Sequence, residues 1–287
     1  MELQWPLILF TTLLGASAGL FATQGVYALL GKGSKAQLPA LVTSFVLLVI
    51  GGIAVFFHLQ HWERIFNGFG HITSGITQEL IAVVVMVIIM VVAFAMLRRE
   101  GNLPQWCAVL AIAISAIMVV VMGMSYMMPA RPAWNNALQI VSLLGYAVAA
   151  GAGLFALLDA KAEEDGALHG TYGIVCTIVN AVCTVAFIGM MSAAAGSFAD
   201  VGNYFDPNHP TVAMVSAADY SPFAGSAMGF SVATIVLAIV AIALAAFGKK
   251  SKNWSVAGAG IAVCAIVGAA LLRAVFFACG GSVFMFY

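Results

Sequence analysis

The chain carries eight apolar runs, each of about the length that crosses a lipid bilayer. They cover residues 6–30, 38–59, 75–97, 105–128, 135–158, 170–195, 223–247 and 254–279. A transmembrane helix needs about 20 consecutive apolar residues, and a spanning segment must satisfy its own backbone hydrogen bonds because lipid offers none. The pattern therefore predicts an all-α polytopic membrane protein with eight transmembrane helices, folded as a single integral membrane domain over residues 1–287.

The composition agrees with this fold class. Hydrophobic residues make up 63% of the chain and charged residues only 8%, whereas a soluble domain has about 25% charged residues. The net charge is zero, which gives no indication of a nucleic acid partner. The first apolar run is too long for a signal peptide and has no basic segment before it, so we expect it to remain as a helix. We predict a multi-pass protein of the inner (cytoplasmic) membrane, surrounded by membrane lipid.

The basic residues are distributed unevenly between the two ends of the predicted helices. One end has only Arg64, Arg131 and Arg273. The odd-numbered connectors at the other end hold the remaining eight, which are Lys32, Lys35, Arg98, Arg99, Lys161, Lys249, Lys250 and Lys252. Because cytoplasmic loops are enriched in Lys and Arg, the odd-numbered connectors are predicted to be cytoplasmic, and both termini are predicted to lie on the outer (periplasmic or extracellular) face.

Ionisable groups are concentrated between the second and third apolar runs, in a hairpin from His58 to Glu79. His58 is predicted to close the second helix and Glu79 to open the third, each about one turn inside the outer end. The two side chains can therefore reach a similar depth on neighbouring antiparallel helices. Ionisable residues that a membrane protein keeps in such places usually contact a ligand, a proton path or an electron carrier.

Quinol oxidation is the chemistry that best suits this hairpin. The reaction removes two protons and two electrons from the quinol ring, so it needs proton acceptors that titrate near neutral pH beside an apolar slot. An unperturbed histidine titrates at about 6.5, and burial in an apolar setting moves carboxylates toward that range. We predict that His58 and Glu79 are the catalytic, quinol-binding residues and that each passes a proton to the outer water.

Other polar residues of the hairpin have simpler interpretations. His61 and His71 are predicted to be solvated side chains at the membrane interface, and Glu63 and Arg64 can neutralise one another. Arg273, inside the last apolar run, has two interpretations: it snorkels to the outer face, or it binds an acidic partner such as Asp206 or a phospholipid phosphate. The four methionines near the end of the fourth run either wall an isoprenoid slot or pack adaptably in the core; they are Met122, Met124, Met127 and Met128.

The sequence predicts no metal site in this chain. Its five cysteines are odd in number, lie within or at the ends of apolar runs and never form Cys-x-x-Cys, so they read as small apolar packing residues. A b-type haem between helices requires two intramembrane histidines, and of the five histidines only His58 falls inside a predicted span. We therefore expect no haem and no iron-sulfur cluster, and electrons from an outward quinol site must leave directly to a partner on that face.

Small residues and one long connector complete the organisation of the chain. Three glycine pairs predict close helix packing, namely Gly15 with Gly19, Gly151 with Gly153 and Gly225 with Gly229. The connector over residues 196–222 contains no Lys or Arg, and its length favours a lid or a docking surface for another subunit. The apolar runs share no motif at a fixed period, so an inverted-repeat transporter is not supported.

Several short motifs, in this order and spacing along nearly the whole chain, resemble the membrane anchor subunit of the dimethyl sulfoxide (DMSO) reductase family. They are Trp5-Pro6-Leu7, His58-Leu59, Arg64-x-Phe66-Asn67, Glu79 at the start of the third helix, Tyr126 with Pro132-Ala133-Trp134, and Arg273-x-Val275-Phe276. The resemblance implies eight helices with outward termini and oxidation of menaquinol near the outer face. It also implies docking there of an iron-sulfur electron-transfer subunit and a molybdopterin catalytic subunit.

The resemblance assigns roles to individual residues. His58 and Glu79 are expected to contact the quinol with Arg64 as their neighbour, and Tyr126, Trp134 and Arg273 are supporting candidates. The chain would be an enzyme only as the quinol-oxidising anchor of a multi-subunit oxidoreductase, because reduction of the terminal acceptor belongs to the catalytic subunit. Two alternatives stay open: an anchor of the polysulfide or nitrite reductase type, and a proton-coupled transporter or channel lined by the same ionisable residues.

Overall fold

The computed structural model describes residues 3–59, 61, 67–160, 166–198 and 217–283 and shows an all-helical bundle there. Its long helices are α1 (Trp5–Leu29), α2 (Gln37–Phe56), α3 (Gly75–Glu100), α4 (Gln105–Ser125), α5 (Ala137–Asp159), α6 (Gly166–Ala194), α7 (Gly225–Ser251) and α8 (Trp254–Ala278). All eight are long and apolar enough to cross a membrane. The predicted eight-helix architecture is thus confirmed, and the chain is a multi-pass integral membrane protein.

Local sequence signals explain where several of these helices begin and end. Proline in the first turn of α1 needs no backbone donor there and has a helical φ angle. The side chain of Asn136 accepts a hydrogen bond from the backbone N–H of Leu138 at 2.8 Å, and Asn253 accepts one from Val256 at 3.2 Å. These asparagines cap α5 and α8, as Asx residues at helix starts commonly do. Gly101 ends α3 with a φ of 75°, a conformation that glycine adopts without strain.

The helices form two groups of four with the same order of neighbours. In the first group α1 packs on α2 and α4, and α3 packs on α4; in the second group α5 packs on α6 and α8, and α7 packs on α8. The groups meet where α1 contacts α5, with α4 against α5 and α1 against α8 on either side. Within the first group α2 and α3 touch each other only sparsely, which leaves a seam between them.

Glycines make the contact between α1 and α5 possible. A Cβ atom at Gly19 would collide with the carbonyl group of Ala147, and one at Gly151 would collide with the carbonyl group of Gly19. These positions support the sequence prediction of close packing, because only glycine lets the two backbones approach this far. The prediction was wrong for Gly225 and Gly229, where an added Cβ would meet open space.

The two four-helix groups also share an unusual backbone feature. Residues 67–70 and 217–220 each form a 3₁₀ turn, and each turn leads through a short bend into a helix that begins at a glycine, Gly75 or Gly225. The second segment follows the first at a distance of 150 residues, which is 225 minus 75. The two groups thus share this segment and most of their helix contacts, and they differ in that α6 packs on α7 whereas α2 and α3 touch only sparsely.

One histidine occupies a different environment from the predicted one. His169 was expected in a loop, but it lies in the first turn of α6 and is buried. Its Nδ1 atom is 2.7 Å from the Tyr27 hydroxyl, and its Nε2 atom is 3.0 Å from the Asp159 carboxylate. The sequence prediction failed because α6 begins four residues before the predicted span. These contacts join the ends of α1, α5 and α6 opposite the His58 end of the bundle.

Candidate functional site

A cavity of about 670 Å³ lies among helices α1 to α4, with the end of α8 behind it. Most of its wall is aliphatic or aromatic, and its polar atoms come from a few side chains. Binding sites for small molecules typically have this size and character. The side chains that can form polar contacts inside it are Gln4, His58, Glu79, Ser125, Tyr126 and Trp134.

His58 lies at the mouth of the cavity. The predicted span ran to residue 59, but α2 ends at Phe56, and His58 follows in a turn with its side chain exposed. The histidine therefore lies just beyond the helix and not inside it. Its Nδ1 atom is 3.2 Å from the Oε1 atom of Gln4, which precedes α1. When Nδ1–H donates to Gln4, the Nε2 atom keeps its lone pair and can accept a proton.

Glu79 lies on the third helix, where the sequence placed it, but deeper than His58. It is the fifth residue of α3 and its side chain is buried. The hydroxyl of Ser125, at the end of α4, donates a hydrogen bond of 2.5 Å to Glu79 Oε1. A buried carboxylate needs such partners, since leaving it without them would carry a large desolvation cost. Ser125 thus fixes one oxygen of Glu79 at the cavity wall.

Aromatic side chains form the back of the cavity. Tyr126 and Phe277 line it together with Trp134, which is almost fully buried. The Trp134 indole N–H donates to the carbonyl oxygen of Phe276 at 2.7 Å, and the two rings are stacked with their centroids 4.6 Å apart. These contacts hold the loop after α4 against the end of α8, so the back wall has a defined shape.

Arg273 lies immediately behind this aromatic wall. Its guanidinium carbon is 4.7 Å from the centre of the Tyr126 ring and 4.0 Å from that of Phe276. Only 3% of the residue is exposed. The interpretation that Arg273 snorkels to the outer face was therefore wrong, because the rings of α8 and Tyr126 enclose it. Asp206, the acidic partner considered for it, lies outside the described residues.

The structure brings most of the predicted site residues together. His58, Glu79, Tyr126 and Trp134 all line the cavity and Arg273 stands behind it, whereas Arg64 lies outside the described residues. His61 and His71 are exposed, in agreement with an interfacial position. The sequence reasoning missed Gln4 and Ser125, although they are the immediate neighbours of Trp5 and Tyr126 in the chain.

The other residues considered in the sequence were possible metal ligands and the methionines of a possible isoprenoid slot. Within the described ranges, no three His, Cys, Asp or Glu side chains converge as a metal site. All five cysteines are free, and four of them are buried while Cys183 is half-buried. Of the four methionines, Met128 lines the cavity and Met122 is buried in the core.

The fold and the cavity define a class: a multi-pass helical membrane protein with an amphipathic cavity at one end of its first four-helix group. The chain belongs to the family described as DMSO reductase anchor subunit (DmsC), whose family model matches residues 1–279. This match confirms the resemblance drawn from the sequence motifs.

Among solved structures, the chain is similar to one described as the structure of bd oxidase from Geobacillus thermodenitrificans. The sequences are 12% identical, the TM-score is 0.57, and the match covers 97% of this chain and 87% of that one. At this identity the likeness concerns the fold. A search of curated protein sequences found no significant match.

Proposed function

We propose that this chain is the quinol-oxidising anchor subunit of a DMSO-reductase-like molybdenum oxidoreductase complex and that the cavity beside His58 and Glu79 binds menaquinol. The supporting observation is that an apolar cavity of about 670 Å³ contains both ionisable residues selected from the sequence. Membership in the anchor family supports the same assignment. A flat aromatic ring with two hydroxyl groups fits such a wall, with its edges directed at the polar side chains.

His58 and Glu79 each accept one of the two protons that the quinol releases. Oxidation of one quinol gives a quinone, two protons and two electrons. His58 Nε2 accepts one proton while Nδ1–H is held by Gln4, and the Glu79 carboxylate accepts the other. Since His58 is exposed, its proton passes readily to outer water.

The quinol enters from the lipid through the seam between α2 and α3. Ile53, Phe56 and Ile76 line the cavity and are also about half exposed. An apolar side chain that faces both lipid and cavity marks a path that an isoprenoid molecule can take without crossing water. Entry from the membrane between α2 and α3 therefore agrees with the exposure of these three side chains.

Electrons leave this chain on the outer face. An iron-sulfur electron-transfer subunit docks there, takes the two electrons and passes them to a molybdopterin catalytic subunit that reduces the terminal acceptor. Protons are released on the same face, so the step carried out by the anchor is electroneutral. Both termini are outward, and the complex lies in the inner membrane.

A pair of substitutions tests the cavity as the site of quinol oxidation. His58→Leu and Glu79→Gln in the whole complex should each lower menaquinol-dependent reduction by about 100-fold or more, because each removes a proton acceptor. Activity with an artificial donor that reduces the iron-sulfur subunit directly should be unchanged. The matched control is His71→Leu, which removes an exposed histidine outside the cavity.

The two assays separate the outcomes. If quinol-dependent activity survives both substitutions while the complex assembles, the cavity is not the site of oxidation. If both activities fall together, the substitution has disrupted assembly, and the residue has a structural role.

A further inference from the structure

We propose that Arg273 is a positioning residue that acts through the aromatic wall: its positive charge stabilises the Glu79 carboxylate and the negative charge that forms on the quinol as it loses its first proton. This inference rests on the proposed function of the cavity. Of the two sequence interpretations of Arg273, burial contradicts the one in which the side chain snorkels to the surface. The proposal follows the other, an acidic partner, and assigns that part to Glu79.

Arg273 is a buried cation that is surrounded by aromatic rings. The guanidinium stacks on Phe276, Tyr126 and Phe277, with its central carbon 4.0, 4.7 and 5.5 Å from their ring centres. None of its three nitrogens has a hydrogen bond of standard geometry with the described residues. Aromatic faces attract a cation, but they do not replace the hydration that a buried charge loses. A nearby anion is therefore expected.

Glu79 is the described anion that faces this cation. The ionisable groups near Arg273 are Tyr126 after α4, Tyr146 on α5 and Glu79 on α3. Of these three, the carboxyl group of Glu79 is the one that ionises most readily, because a phenol ordinarily titrates at about pH 10. Tyr146 is already engaged, because its hydroxyl donates to the carbonyl oxygens of Thr11 at 2.7 Å and Thr12 at 2.9 Å. In the sequence, α1 has no charged residue and α8 has Arg273 alone. Both groups lie next to Tyr126: the guanidinium carbon of Arg273 is 4.7 Å from the Tyr126 ring centre, and Ser125, the residue before Tyr126, donates its hydroxyl hydrogen bond to Glu79.

This arrangement explains how a deeply placed carboxylate can serve as a base. Burial favours the neutral form of any carboxyl group, and a neutral carboxyl group accepts no proton from a quinol. A fixed positive charge stabilises nearby anions, and in a dry site the effect is larger than in water. A quinol that gives up its first proton becomes an anion in the same cavity and gains from the same charge.

The test is the pH dependence of quinol oxidation by the whole complex. Arg273→Gln should move the acid limb of the kcat/KM profile to higher pH by about one unit or more, because loss of the cation makes the base easier to protonate. Arg273→Lys keeps the charge and should keep the limb near its wild-type position. The control Arg98→Gln removes an exposed cation from the inner end of α3, the helix that carries Glu79. Its profile should equal that of the wild type.

Two results would overturn the proposal. The first is an assembled Arg273→Gln complex with a wild-type profile. The second result concerns the case in which the Arg273→Gln variant does not accumulate in membranes. The double variant Arg273→Gln with Glu79→Gln is then expected to restore accumulation, because no uncompensated charge is left. Continued failure of the double variant would show that Arg273 acts only through packing. The accumulation test needs no quinol assay, so it gives an answer even if quinol oxidation at this cavity is disproved.

Discussion

At the scale of single residues, the site depends on how a few polar atoms are satisfied inside an apolar wall. Charged and titratable groups stand out in a sequence with only 8% charged residues, so the sequence alone was enough to select His58 and Glu79, which both line the cavity. It was not enough for Gln4 and Ser125, because neutral polar residues are common in membrane helices and most of them bond to local backbone. Their partners, His58 and Glu79, are 54 and 46 positions away. Only the packing of α1 to α4 brings such distant residues together.

The contact between Ser125 and Glu79 gives a prediction at this scale. Ser125→Ala removes the hydroxyl that donates to Glu79 Oε1 at 2.5 Å. A hydrogen bond to a charged group contributes about 1.5–3 kcal/mol, so we expect kcat/KM for quinol to fall about tenfold or more, with the largest loss at low pH. Steady-state quinol oxidation by the complex between about pH 5 and pH 9 measures the effect.

Ser115→Ala is the matched control for that experiment. Ser115 is buried on the same helix, and its hydroxyl has no hydrogen bond with the described residues. Its removal should leave the pH profile unchanged. An equal loss in both variants would mean that any alteration of α4 disturbs the site and that the hydroxyl of Ser125 has no special role.

At the scale of helices, α2 supplies one side of the cavity through a face that includes Gly52. An added Cβ at Gly52 would meet nothing within 4 Å, although the residue lines the cavity. Its neighbour Gly51 instead packs against Leu14, where a Cβ would lie 2.7 Å from a side-chain carbon. Gly51 thus allows α2 to pack closely on α1, whereas the adjacent Gly52 leaves space for a ligand in the cavity.

Gly52→Leu should obstruct the cavity without disturbing the fold. The new side chain has open space in front of it, so we expect normal accumulation of the complex and a KM for quinol raised about tenfold, since the isobutyl group occupies part of the ligand volume. Gly229→Leu makes the same change in α7 at an exposed position that also has open space. Its KM should stay at the wild-type value. A normal KM in Gly52→Leu would place quinol binding elsewhere.

Helix number and approximate helix limits were predictable from the sequence, but helix ends near the site were not. Apolar length fixes a span to within a turn, so all eight predicted runs correspond to observed helices. The end of α2 at Phe56 depends on the turn that carries His58, and the start of α6 at Gly166 depends on the buried contacts of His169. The two ends were misjudged in opposite directions: α2 ends three residues before the end of its predicted run, whereas α6 begins four residues before the start of its predicted run.

At the scale of the whole molecule, two similar four-helix groups differ in what fills their outer ends. The first group contains the cavity, with Glu79 four residues after the glycine that starts α3. The second group has Gly229 at the corresponding distance after Gly225. At that end of the group, Phe198 and Tyr220 stack with ring centroids 4.4 Å apart. The two groups share most helix contacts and the 3₁₀-turn segments while their side chains differ, so no repeat appears in the sequence. A site can therefore exist in one half of a repeated fold.

The distribution of basic residues leads to the prediction for the whole complex. The cavity lies at the end of the bundle opposite Lys249, Lys250 and Arg98, so the positive-inside bias predicts that the cavity faces outward. Gly70→Cys adds a thiol at an exposed site in the connector between α2 and α3, at the cavity end of the bundle, and Ser251→Cys adds one at the lysine-bearing end. The five native cysteines are buried or half-buried, and the parent chain measures their background.

A membrane-impermeant maleimide should label Gly70→Cys in intact spheroplasts and should label Ser251→Cys only after permeabilisation. Co-expression of the iron-sulfur and catalytic subunits should protect Gly70→Cys, because the docked partner covers the end of the bundle where electrons leave. Ser251→Cys should be labelled equally with and without those subunits. Reversed sidedness would show that the orientation is wrong. Unprotected Gly70→Cys in an assembled complex would show that the partner docks away from this loop and that electrons must leave the cavity by another route.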